Sequence, residues 1–296
     1  MQHIRIGSRG SDLALWQANH VKNQLEALGC TVTITIITTQ GDAIQDLSFD
    51  KLEGKGFFTK EIEQALLDNT IDLAVHSHKD LETNQPAGLQ IACVSERENP
   101  ADILLIAKKA VDKSQKWNLK DAAIVGTSSA RRKSQVIAFR EDVEIKDLRG
   151  NVPTRIQKLR DGHYDAILLA KAGVDRLKID LSEFEEVVLD PTEFVPAPAQ
   201  GVLALQIREA DVSLFEVLQN MNHPLVQQRI AVERKVLNLM QGGCQLPLGV
   251  YCNEAETVYV AYASNWENGA AWYEYSADDL TDLAEIIVED LLEAEN

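Results

Sequence analysis

Apolar positions along this chain switch repeatedly between two spacings, and the switching marks out alternating strands and helices. A short run, Ile4-Arg5-Ile6, enters Gly7-Ser8-Arg9-Gly10-Ser11 and reads as a strand feeding a turn. Behind Ser11, a good N-cap residue, Leu13, Ala14, Ala18, Val21, Leu25 and Leu28 recur at helical spacing, and Gly29 is placed to end the helix. The β-branched residues 32–37 predict the next strand. A polar loop with three glycines (41–56) follows, then a helix over 60–67 and a strand over 71–75.

The same order returns further on. Residues 123–129 read as a strand entering a hydroxyl-rich turn, followed by a helix over 130–139, a strand near 144–148, a helix over 153–160 and a strand over 164–169. Two local matches accompany this order: Ile6-Gly7-Ser8 with Val125-Gly126-Thr127, and residues 68–72 with 161–165. The offset falls from 119 residues (Ile6 to Val125) to 93 (Asp72 to Asp165), because the first unit carries the 41–56 loop. Alternating strands and helices, repeated, predict two similar α/β lobes facing across a cleft.

Two proline-containing stretches, 95–100 and 190–200, are the expected lobe connections. The strand predicted over 202–207 could then return to the first lobe's sheet, and two crossings make a hinge. The expected domains are 1–97 with 200–219, 100–195, and a small α+β domain over 220–296. That last domain holds a helix (224–240), a Gly242-Gly243-Cys244 turn, strands near 249–252, 257–263 and 271–275, and an acidic amphipathic terminal helix.

Composition narrows the function. A chain of 296 residues with 45% hydrophobic content can build two or three cores. No apolar run approaches a membrane span, and the N-terminus lacks the basic-then-apolar pattern of a secretory signal. The four cysteines (Cys30, Cys93, Cys244, Cys252) form no CxxC pair, which fits a reducing cytosol and disfavours zinc. A net charge of −17 argues against binding nucleic acid or anionic lipid.

Within so acidic a chain, clustered arginine is informative. Arg131 and Arg132 fall in the first turn of a predicted helix, Arg149 at a strand end, Arg155 and Arg176 in later helices. Arg9 occupies the matching turn of the first lobe. In an open α/β sheet such turns gather at one edge, where unpaired helix N–H groups and guanidinium forks suit carboxylate or phosphate. His76-Ser77-His78-Lys79-Asp80 leaves a strand at that edge; its Lys-Asp pair suits acid/base work, although position alone favours a solvated turn. The two histidines have no evident third ligand, so no metal is expected. Cys244 reads as a thiol on a flexible glycine loop, most often an inert feature.

Six motifs, in order, resemble the hydroxymethylbilane synthase (porphobilinogen deaminase) family. They are Gly7-Ser8-Arg9-Gly10-Ser11-Asp12-Leu13-Ala14, Gly54-Lys55-Gly56-Phe57-Phe58, Val75-His76-Ser77-His78-Lys79-Asp80, Val125-Gly126-Thr127-Ser128-Ser129-Ala130-Arg131-Arg132, Leu148-Arg149-Gly150-Asn151-Val152 and Gly242-Gly243-Cys244-Gln245. The resemblance implies an α/β fold of two periplasmic-binding-protein-like lobes plus a small α+β C-terminal domain. It implies a transferase of porphyrin (haem) biosynthesis that joins four porphobilinogens head to tail, releases ammonia each time, and hydrolyses the linear tetrapyrrole free. A dipyrromethane cofactor would be held by a thioether to Cys244.

By the same resemblance Asp80 is the catalytic carboxylate, and Lys79, Thr127, Ser129, Arg131 and Arg132 hold the cofactor. Arg9, Ser11, Lys55, Phe58, Ser77, Arg149, Arg155, Arg176 and Gln200 would contact substrate, and the 41–56 loop would form a mobile lid. Each pyrrole carries two carboxylates, which gives the arginine cluster a purpose. His78 departs from the family's usual apolar residue, and the chain after Gly249 diverges. The expected enzyme is a cytoplasmic monomer without nucleic-acid or membrane partners. The rival expectation is a two-lobed solute-binding protein that captures an anion without chemistry.

Overall fold

A computed structural model describes residues 2–40, 59–243, 245–276 and 280–294. The chain forms two compact units, Met1–Glu98 with Gly201–Gln228, and Asn99–Gln200 with Arg229–Asn296.

The first unit is built on a five-stranded sheet of order β2-β1-β3-β10-β4. Its strands are β1 (His3–Ser8), β2 (Thr31–Ile36), β3 (Leu73–Ser77), β4 (Leu89–Val94) and β10 (Leu203–Arg208). β1 runs parallel to β2 and β3, whereas β10 is antiparallel to both β3 and β4. Helices cover both faces. α1 (Asp12–Ala27) and α6 (Val212–Gln219) bury Ala18, Val21, Leu25, Leu214 and Leu218 against Ile4, Ile6, Leu73 and Leu205. α2 (Lys60–Leu67) buries Ile62 and Leu66 against Ile71, Ala74 and Leu89 on the other side.

The second unit carries a sheet of the same design, β7-β6-β8-β5-β9. Its strands are β5 (Asp102–Ala107), β6 (Ile124–Gly126), β7 (Glu144–Lys146), β8 (Ala166–Ala170) and β9 (Phe184–Val188). β6 is parallel to β7 and β8, and β5 is antiparallel to β8 and β9. Residues of β5 alternate between cores: Leu104 and Ile106 join Val125, Val136 and Phe194, while Ile103 and Leu105 join Ile156, Leu159 and Val174. Burial on both faces explains why this strand reads as an unbroken apolar run without period-two alternation. α3 (Ala130–Phe139) packs on one face; α4 (Val152–Arg160) and α5 (Lys171–Leu177) pack on the other.

The weak sequence repeat is a structural one. Ile6 pairs with Leu73 in one sheet and Val125 with Ala166 in the other, at the offsets of 119 and 93 residues that separate the matched motifs. The Asp72 carboxylate accepts the Arg5 N–H at 3.0 Å, and Asp165 accepts the Ile124 N–H at 3.0 Å. Asn69 (φ 55°) and Gly162 (φ 80°) make the same left-handed turn before the strand. A Cβ on Gly126 would run into the Tyr164 ring, and one on Gly7 would meet the Cδ1 tip of buried Ile71, which would have to shift.

The second unit also holds an antiparallel sheet of β11 (Leu248–Cys252), β12 (Thr257–Tyr262) and β13 (Ala271–Ser276), with α7 (Pro224–Leu239) and α8 (Leu283–Glu293). The acidic amphipathic terminal helix spans Leu283–Glu293, and its apolar face, Leu283, Ala284, Ile287, Val288 and Leu291, closes a core with Val250, Val258 and Val260. This subdomain is tied to the preceding sheet. Val250 donates its N–H to the Pro196 carbonyl at 3.1 Å, and the indole of Trp272 donates to the Glu193 carbonyl at 2.7 Å. Glu233, fully buried on α7, accepts N–H groups from Ala199 at 2.7 Å and Cys252 at 2.8 Å.

Candidate functional site

In the first unit, the candidate residues follow β1 and β3. Ser11 caps α1 by accepting the Ala14 N–H at 3.4 Å, with half-buried Arg9 in the turn before it. β3 ends in a 3-10 turn, His78–Asp80. Ser77 accepts the Gln17 amide at 2.8 Å, His78 is buried, Lys79 is half-buried and Asp80 is exposed. His76 is buried in the strand itself, its Nε2 3.1 Å from Gln206 Oε1, and the Gln206 amide donates to Glu63 and Gln85. Burial pulls the imidazole down from 6.5 to about 4, against the opposing hydrogen bond to the Gln206 carbonyl, so the ring is neutral at pH 7. Its place in the sheet makes it a structural group.

In the second unit, the turn after β6 sets the N-terminus of α3. Buried Thr127 accepts the Ser129 N–H at 3.3 Å, and Ser129 caps the helix by accepting the Arg132 N–H at 3.5 Å. Arg131 and Arg132 occupy the first turn and are both buried. They converge on Asp102, the first residue of β5, which is wholly buried. Arg131 Nη1 donates to Asp102 Oδ2 at 2.8 Å and to the Val195 carbonyl at 2.8 Å. Arg132 Nη2 donates to Asp102 Oδ1 at 2.8 Å, and its Nη1 to the Leu168 carbonyl at 3.1 Å. Gln200 is buried too, and its amide donates to Asp102 Oδ1 at 2.9 Å and to the Pro100 carbonyl at 2.8 Å.

Electrostatics favours an anion here. Burial alone would raise the Asp102 carboxyl, but Arg131 and Arg132 outweigh it and hold it well below the usual carboxylate range. Burial lowers Arg131 from the ordinary arginine value, Asp102 opposes this, and Arg132 adds to it. Two guanidiniums thus share one carboxylate, leaving a buried excess of positive charge. They also stand in a helix first turn that holds no acidic residue, where the backbone dipole disfavours cations. Arg132 Nε is buried without a hydrogen-bond partner among the described residues.

The remaining predicted residues lie around later turns of the same sheet. Arg149 is half-buried after β7, and its carbonyl accepts the Lys158 ammonium at 3.1 Å. Arg155 Nε donates to the Gly150 carbonyl at 2.7 Å, and Arg176 is buried in α5. Lys55, Phe58, the 41–56 loop and Cys244 lie outside the described residues. Asp102 is not among the residues that the sequence pattern points to. The available signal was an isolated acid opening the apolar run Ile103-Leu104-Leu105-Ile106, a place where an unpaired carboxylate could not be buried.

The family profile described as "Porphobilinogen deaminase, dipyromethane cofactor binding domain" matches residues 4–216. A porphobilinogen deaminase of Nitratidesulfovibrio vulgaris (strain DP4) is 46% identical over 251 residues, covering 84% of this chain and 78% of that protein. The enzyme of that name from Bacillus cereus (strain G9842) is 43% identical over 261 residues, covering 86% of this chain and 82% of its own. Among solved structures, a periplasmic VFT2 domain of Bordetella pertussis BvgS aligns with a TM-score of 0.45 at 11% identity, covering 74% of this chain and 86% of that one. An ancestral arginine-binding protein aligns at 0.40 and 14%, covering 75% and 91%. By profile and by relatives, the chain belongs to the porphobilinogen deaminase family.

Proposed function

We propose that this chain is a hydroxymethylbilane synthase, a transferase of porphyrin biosynthesis that condenses porphobilinogen head to tail with release of ammonia. Family membership supports the reaction. The structural observation that carries the reading is the buried pair Arg131 and Arg132 on the single carboxylate of Asp102, a site short of negative charge.

These residues suit a dipyrromethane, whose side chains are carboxylates: the excess charge and the Arg132 Nε both call for an acceptor. When bound, that group supplies the pyrrole to which substrate units are joined. Cys244 would hold it through a thioether. Arg131, Arg132, Lys79, Thr127 and Ser129 would bind its carboxylates or orient them. Arg9, Ser11, Ser77, Arg149, Arg155, Arg176, Lys55 and Phe58 would bind substrate, whereas Gln200, whose amide donates to Asp102 and to the Pro100 carbonyl, would serve by holding Asp102. Asp80, exposed at the end of its turn, would accept the pyrrole N–H and stabilise the positive charge that develops as ammonia leaves.

The net charge of −17 supports a chain that binds neither nucleic acid nor anionic membrane. Among the described residues no helix is long and apolar enough to cross a membrane. We read the enzyme as a cytoplasmic monomer. Incubation of the purified protein with porphobilinogen should release four equivalents of ammonia per linear tetrapyrrole formed. Saturable binding with no ammonia would instead identify a solute-binding protein.

A further inference from the structure

We infer that Asp102 is a positioning residue: it fixes the guanidiniums of Arg131 and Arg132 in the pose that receives ligand carboxylates, and Gln200 fixes Asp102 in turn. This rests on the ligand-binding role proposed above for the two arginines. Asp102 has no exposed surface, so it acts through its neighbours and does not touch a ligand itself. Each carboxylate oxygen takes one guanidinium: Oδ2 receives Arg131 Nη1 and Oδ1 receives Arg132 Nη2, both at 2.8 Å. One terminal nitrogen of each arginine is thereby pinned. Nε and Nη2 of Arg131, and Nε of Arg132, are bonded to no described residue.

A purely structural ion pair would set one cation against one anion. Here two cations share one anion inside a helix first turn, an arrangement that costs stability unless a further anion completes it. Arginine loses little freedom when its fork is already held, so the carboxylate of Asp102 lowers the ordering cost of receiving a ligand. The Gln200 amide, 2.9 Å from Oδ1, ties this arrangement to the second crossing segment. One residue earlier in that segment, the Ala199 N–H is held by Glu233 of α7.

The test follows assembly of the pyrrole adduct on apo-protein supplied with porphobilinogen, read by intact mass over time. Asp102→Asn should slow assembly at least about tenfold in the otherwise wild-type chain, and by less than about twofold where Arg131→Gln and Arg132→Gln are already present, since interacting residues are non-additive. Equal slowing in both backgrounds, or none in the first, overturns the positioning role while leaving the arginine role standing. Wild-type assembly in the Arg131→Gln/Arg132→Gln protein would instead remove the arginine role itself. If Asp102→Asn fails to fold, Asp102→Glu keeps the charge and displaces the carboxylate by one methylene. That protein should keep a near-normal Tm and assemble slowly; normal assembly overturns the inference.

Discussion

At the scale of single residues, position decides what a charged group can do. Asp80 is exposed at the end of a 3-10 turn, whereas Asp102 is sealed beneath two guanidiniums. In the proposed function the first assists proton transfer and the second holds other side chains. Asp80→Asn should therefore lower kcat by at least about a hundredfold with an unchanged Tm, in line with losing a positioned acid/base group. Activity within a few-fold of wild type would rule out that role. His76 offers a separate test. Its buried ring is held near 4, and burial disfavours the charged form. The unfolded chain then binds the proton more readily, so stability is full above pH 6.5 and falls as pH drops toward 4, by up to about 3 kcal/mol. Denaturant melts of His76→Gln should show a flatter pH dependence across that window than wild type.

At the scale of elements, sequence signals were most legible where local chemistry and burial agree. The helix over 130–139 and the helix over 60–67 appear with those limits; Ser129 caps the first, whereas Thr59 makes no side-chain cap and helical spacing alone marks the second. Strands β4, β5 and β9 have no counterpart among the expected strands. β5 is apolar throughout and lacks a period, and its Asp102 is explained only by arginines some thirty residues away in the chain. The glycines that open each lobe were legible as motif positions, but their reason is packing. Gly126→Ala would place a methyl 2.8 Å from Tyr164 Cδ1 and 3.1 Å from Ile167 Cγ2. Overpacking of this kind should cost about 1–3 kcal/mol, read as a lowered Tm. Ser129→Ala removes the α3 cap and should cost about 1 kcal/mol. It should also loosen the first turn that carries the arginines.

At the scale of the whole molecule, each five-stranded sheet takes its antiparallel strand from beyond a crossing: β5 follows the first and β10 follows the second. The weak internal repeat foreshadowed this symmetry, while the attachment of the C-terminal sheet to the second unit depended on contacts no local pattern reveals. Glu233 is the centre of that attachment, holding Ala199 on one side and Cys252 on the other. Glu233→Gln leaves one of two buried N–H groups facing a donor and should cost about 1–3 kcal/mol in denaturant melts. Faster amide exchange in β11 should accompany the loss. The proposed function joins this architecture to chemistry: an anion-binding unit that would carry a covalent pyrrole primer on Cys244. Intact mass of freshly purified, active protein tests it most directly. The mass should exceed that of the chain by two deaminated porphobilinogens, and Cys244→Ser should abolish the increment; a bare chain mass in fully active material would contradict the claim.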